Sequence, residues 1–126
     1  TEDRKVHPRE GILRLLAKGI SLDAVVCYND QIAMQIIPAL ASRGIRVPED
    51  ISVTGYDNSC MAMGDGFHLT TIVHPQEKLG EMAAQLLLSL LRGETLQPEQ
   101  SKILIQPELV VGNSCCGIFT SKYTTC

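Results

Sequence analysis

The chain has no surplus of basic residues: 11 Lys and Arg stand against 14 Asp and Glu, the formal net charge is −3, and only 20% of residues are charged. Affinity for nucleic acid rests on cations that neutralise phosphates, so this stretch is not expected to bind DNA by itself. No apolar run comes near the roughly 18 residues needed to cross a bilayer, and the opening Thr-Glu-Asp-Arg-Lys is not a signal peptide. A cytoplasmic location is the expectation. The cysteines at positions 27, 60, 115, 116 and 126 form no Cys-x-x-Cys pair and have no histidine at metal-ligand spacing, which argues against a zinc site. Cys115 and Cys116 are adjacent and cannot bridge to each other without strain. An odd count without an export signal fits reduced thiols, and Cys27, in an apolar strand, reads as a small buried hydrophobe. There is no nucleophile elbow, no phosphate-cradling glycine loop and no metal-ligand cluster. Asp57, Asp30 and His74 could be imagined as an acid-base set, but nothing completes one. We expect no enzymatic activity, no metal and no cofactor.

At 126 residues the chain suffices for one core, burying roughly two-thirds of the surface its unfolded form exposes. A first helix opens with Pro8 at a favoured first-turn position, sets Ile12, Leu15 and Leu16 on one face to cover a sheet, and stops at Gly19. A second, over residues 31–43, is apolar around most of its circumference, as suits a helix wedged between a sheet and another partner. Pro38 lies inside it and predicts a kink that costs about 3 kcal/mol, and Gly44 predicts a left-handed cap. The third is the clearest: Leu79, Met82, Ala83, Leu86, Leu87 and Leu90 recur at helical spacing before Gly93.

Two short β-branched runs complete the pattern. Asp23-Ala-Val-Val-Cys27 ends in Tyr28-Asn29-Asp30, and VPEDISVTGYDN, residues 47–58, ends in Gly55-Tyr56-Asp57. A strand-helix-strand unit crosses over right-handedly with near certainty, so both polar ends emerge on one edge, where open α/β sheets bind ligands. Asn29 and Asp57 thereby become neighbours across a crevice. Asn and Asp also lead the ranking of helix caps, so Asn29 and Asp30 have a purely structural alternative, and we assign the cap to Asp30. Asp57 could close an Asx-type turn, but ligand contact is the favoured reading; Tyr28 could stack on a ligand ring or cover the helix start, and core packing is the favoured reading.

The run AVVCYNDQIAMQIIPALASRGIRVPEDISVTGYDN, then LTTIVHPQEKLG at residues 69–80 and ILIQPELVVGNS at residues 103–114, resembles the lactose-repressor/galactose-repressor family of bacterial transcription regulators. Their order and spacing match over residues 23–114. His74-Pro75 and Gln106-Pro107-Glu108-Leu109 resemble the arabinose-repressor branch. The resemblance implies a parallel, doubly wound α/β sheet: the C-terminal part of a two-lobed sugar-binding domain like the type I periplasmic binding proteins. Residues 1–111 would form this part, with helix 76–92 belonging to the other lobe. Residues 112–126 are an unmatched tail, because Gly112 stands where relatives usually have Arg. DNA-binding headpiece and opening strands would lie in sequence not present here.

By the same resemblance, Asn29 faces the cleft, and His74 sits where relatives carry a polar cleft residue. The candidate effector set is therefore Asn29, Asp57, His74, Tyr28 and Asp30, while Glu108 reads as structural. A sugar suits it, since hydroxyls that donate and accept need carboxylates and amides beside an apolar face; the implied effector is a pentose such as arabinose, or a hexose. The intact protein would be a homodimer whose lobes change angle on binding, touching operator DNA only through the headpiece. An exported sugar-binding protein of a transporter is the alternative. The apolar face of residues 76–91 exceeds what soluble monomers usually expose, so self-association or swapping of that helix is expected.

Overall fold

A computed structural model describes residues 7–59, 66–95 and 102–117. Its elements run α1 (Pro8–Ala17), β1 (Ala24–Val26), α2 (Asp30–Ala41), β2 (Ser52–Thr54), β3 (Thr71–Val73), α3 (Gln76–Leu91) and β4 (Glu108–Val110). Residues 60–65 and the end of the tail lie outside the described residues.

β1 and β2 pair in parallel, Ala24 against Ser52 through Val26 against Thr54. α2 is the crossover between them, as the β-branched runs and the intervening apolar helix require. Its Ala33, Ile36, Ala39 and Leu40 are buried with Ile51, Val53 and Cys27. The two alanines keep that face thin. Pro38 is exposed on the opposite side, and the helix runs past it to Ala41. Beyond the helix Gly44 takes φ +74°, a left-handed conformation glycine enters without a Cβ penalty, and Ile45 N–H returns to Leu40 C=O at 3.1 Å.

α1 begins at Pro8 as expected and buries Ile12, but Leu13 and Leu16 flank the core while Leu15 is 40% exposed. The expected stripe is rotated because α1 packs chiefly on α2 and not on the sheet. Ahead of β2, Asp50 clasps Arg46 through backbone N–H, Nε and Nη2 at 2.8 to 2.9 Å. This clasp holds the Asp50 carboxyl down at about 2. Its contribution to stability is complete above the ordinary carboxylate range and is lost only as pH falls towards 2.

The sheet continues past β2 through a parallel bridge from Thr54 to Thr70. The expected parallel arrangement holds for β1 and β2, while the closing pair, β3 and β4, runs antiparallel with Ile72 opposite Leu109.

The domain also extends beyond the boundary placed at Val111. Ser114 is fully buried: its hydroxyl donates to Val53 C=O at 2.6 Å and accepts Thr70 N–H at 2.8 Å, and its own carbonyl accepts Val53 N–H at 2.8 Å. Asn113 pairs with His68 through backbone and side chain. Gly112 is explained by the same contact, since a Cβ there would overlap the His68 carbonyl. The residue that looked like a departure is a place where two backbones touch.

α3 spans the predicted residues yet buries none of them, and Leu79, Leu87, Leu88, Leu90 and Leu91 are all at least half exposed. Two outcomes follow. Ser114→Ala removes two buried hydrogen bonds and should lower stability by about 1 to 3 kcal/mol in urea denaturation. Light scattering on this chain alone should show a mass that rises with concentration, and substituting Leu87 and Leu90 by Glu should abolish the rise.

Candidate functional site

Beyond their ladder the parallel strands stay side by side: Cys27 N–H donates to Thr54 C=O and Asp30 N–H to Tyr56 C=O, each at 2.9 Å. The two polar ends do emerge on one edge. β3 flanks them on the far side, with Gly55 N–H on Thr70 C=O at 2.9 Å and Asp57 N–H on Ile72 C=O at 3.0 Å. Between these anchors Asp57 has φ +92° and Asn58 φ +47°. Asn tolerates that region, whereas for Asp at +92° the conformation costs on the order of 1 to 3 kcal/mol and survives only where the surroundings impose it.

Asp57 Oδ1 lies 3.6 Å from His74 Nε2, with both side chains more than a third exposed. The Tyr56 ring meets the His74 ring edge-on, 4.6 Å between centroids at 74°. Tyr28, Tyr56, Asp57 and His74 line a cavity of about 410 Å³. A second, of about 570 Å³, shares Asp57 and His74 and extends along Asn58, Ser59 and the first turn of α3 to Lys78. Acceptor, donor and aromatic faces thus converge on a space the size of small-molecule sites.

Tyr28, Asp57 and His74, among the residues singled out in the sequence, come together. Tyr28 is 84% exposed and does not pack in the core as expected, because the helix it precedes turns its apolar face the other way. The cap expected of Asp30 falls to Asn29. Asn29 has the extended backbone of an N-cap, φ −153° and ψ 173°, and its Oδ1 accepts Ile32 N–H at 3.0 Å. It is not among the residues that line either cavity. Asp30 is the first helical residue, fully buried, with Oδ1 accepting the Thr71 hydroxyl at 2.6 Å, so the structure does not bring it to the cavity wall. Its carboxylate occupies the space where a Cβ on Gly55 would be.

Sequence reasoning missed Tyr56, although it sits between Gly55 and Asp57 in the run already singled out. It also missed Lys78 and Glu77, which only the position of α3 brings near the cleft. Among the described residues no group of three or more His, Cys, Asp and Glu could hold a metal ion, and no helix is long and apolar enough to cross a membrane.

Parallel strands whose carboxyl ends open on a polar cleft, joined by a crossover helix, define an α/β ligand-binding domain. The periplasmic binding protein-like domain family matches residues 2–115. The arabinose metabolism transcriptional repressor of Halalkalibacterium halodurans is 36% identical over 119 residues, 90% of this chain and 32% of that protein. A structure of the lac repressor dimer bound to operator and the anti-inducer ONPF superposes with TM-score 0.74 at 29% identity, covering 87% of this chain and 37% of that one. A LacI family transcriptional regulator from Arthrobacter sp. FB24, in complex with lactose, gives TM-score 0.74 and 29% identity over 90% of this chain and 43% of its own. The chain belongs to the periplasmic binding protein-like domain family, in the form that serves lactose-repressor/galactose-repressor regulators as effector domain, and spans about a third of the curated relative it matches.

Beneath the site, burial and then the nearby Asp30 carboxylate push the Cys27 thiol from 9.0 up to about 11. A raised pKa means the folded state keeps its proton longer than the unfolded one, so this contribution is full below pH 9 and fades as pH rises through 11. Only the thiolate attacks alkylating agents. Native protein treated with iodoacetamide at pH 8 should therefore be modified at the exposed Cys116 and remain unmodified at the buried Cys27, as read by peptide mass spectrometry.

Proposed function

We propose that this chain is the effector-binding part of a sugar-responsive transcription repressor, and that its effector is a pentose such as arabinose, or a hexose. The observation that carries this reading is the convergence of the Asp57 carboxylate, the His74 imidazole and two tyrosine rings on one cleft. A carboxylate accepts from adjacent hydroxyls, an imidazole donates or accepts, and an aromatic face covers the apolar side of a sugar ring. The lactose held by the Arthrobacter regulator and the arabinose repressor similarity support a sugar and a regulator over the transport-protein alternative.

In this reading the opposite wall of the cleft comes from a second lobe, which α3 joins. The intact protein is a dimer that meets operator DNA through a separate headpiece. Sugar shifts the population of lobe arrangements by its differential affinity for them and by nothing else.

A thermal-shift panel of pentoses and hexoses on the intact protein tests the reading, since a ligand of the native state raises its midpoint; L-arabinose should give one of the largest shifts. Asp57→Ala should weaken that sugar by about 1 to 3 kcal/mol in calorimetry with little change in unliganded melting. An unchanged affinity would remove Asp57 from the site.

A further inference from the structure

The Asp57 turn is held by residues that do not line the cleft. The Thr71 hydroxyl donates to Asp30 Oδ1 at 2.6 Å, and the same oxygen accepts Asn58 N–H at 3.3 Å. Because a carboxylate only accepts, it fixes the direction of the Thr71 proton and turns the lone pairs of that oxygen towards Asn58. One hydroxyl therefore joins the start of α2, the strand β3 and the turn whose backbone is forced to positive φ. The arrangement is expensive. Asp30 Oδ2 is buried with no partner among the described residues, and Gly55 must lack a Cβ to admit the carboxylate. A half-satisfied buried acid is a poor way to fill a core, because a buried acceptor left without a partner forfeits its hydration.

We propose that Asp30 is a positioning residue: acting through Thr71, it fixes the Asp57–Asn58 turn and so aims the Asp57 carboxylate at the effector beside His74. This rests on the effector site argued above.

The test uses the intact protein, calorimetry with L-arabinose as first probe, and hydrogen–deuterium exchange of peptides covering residues 52–59. Thr71→Val, and Asp30→Ala where it folds, should each weaken sugar binding roughly tenfold, the scale of losing one buried hydrogen bond to a charged group, and should speed exchange in that segment. Asp30→Asn, which keeps an acceptor, and Thr71→Ser, which keeps the hydroxyl, should stay near wild type in both readouts even where loss of the Thr71 methyl lowers the melting point. In an Asp57→Ala background, Thr71→Val should cost no further affinity. The proposal is overturned if Thr71→Ser weakens binding as much as Thr71→Val, or if the valine variant adds its full loss on top of Asp57→Ala. Should the wild type bind no sugar of the panel, the effector reading fails, and exchange alone decides: faster exchange in Thr71→Val upholds the fixing of the turn, and unchanged exchange overturns it.

Discussion

A buried carboxylate seated over a glycine governs the geometry at the strand ends. Asp30 is fully buried, takes the Thr71 hydroxyl, and fills the volume a Cβ of Gly55 would need. Other features follow from that contact. α2 must start at Asp30, which leaves Asn29 in the extended conformation of a cap. β2 must give way to glycine at its end, and the residues after it bend back against β3 with positive φ. The site is thus built outward from an interior polar contact, and the apolar core of Ile36, Leu40 and Val53 serves mainly to hold the three segments at the right separation.

Much of this fold could be read along the chain because the signals are local. Helical spacing and terminal glycines marked α1, α2 and α3; β-branched runs between turn residues marked β1 and β2; the crossover rule brought the strand ends carrying Asn29 and Asp57 to one edge. What could not be read depends on contacts far apart in sequence. Asn29 and Asp30 are both good caps, and their roles are decided by a threonine 41 residues further on. Gly112 and Ser114 resembled the start of a foreign tail because the groups they touch, at His68, Thr70 and Val53, are not visible from their own neighbours. Tyr56 was adjacent to a named candidate and was passed over for want of any local pattern.

Two apolar surfaces stand exposed. β1 alternates, and Val26 on its outer face is 83% exposed, although parallel strands are ordinarily covered on both faces. α3 offers leucines with nothing buried beneath them. The curated relative matched over 90% of this chain is covered to 32% of its own length.

Ser114 also constrains the order in which the molecule can assemble. Its hydroxyl completes the edge of β2 across a separation of 61 residues, whereas β1, α2 and β2 are contiguous and can pair within a short stretch. Long-range closure is the slow step in acquiring a topology. During translation, then, the strand-helix-strand unit can form early and β3 can cover the end of β2, but the edge at Val53 stays unsealed until residue 114 clears the ribosome. In that interval the nascent lobe exposes the strand edge to which other chains would most readily add.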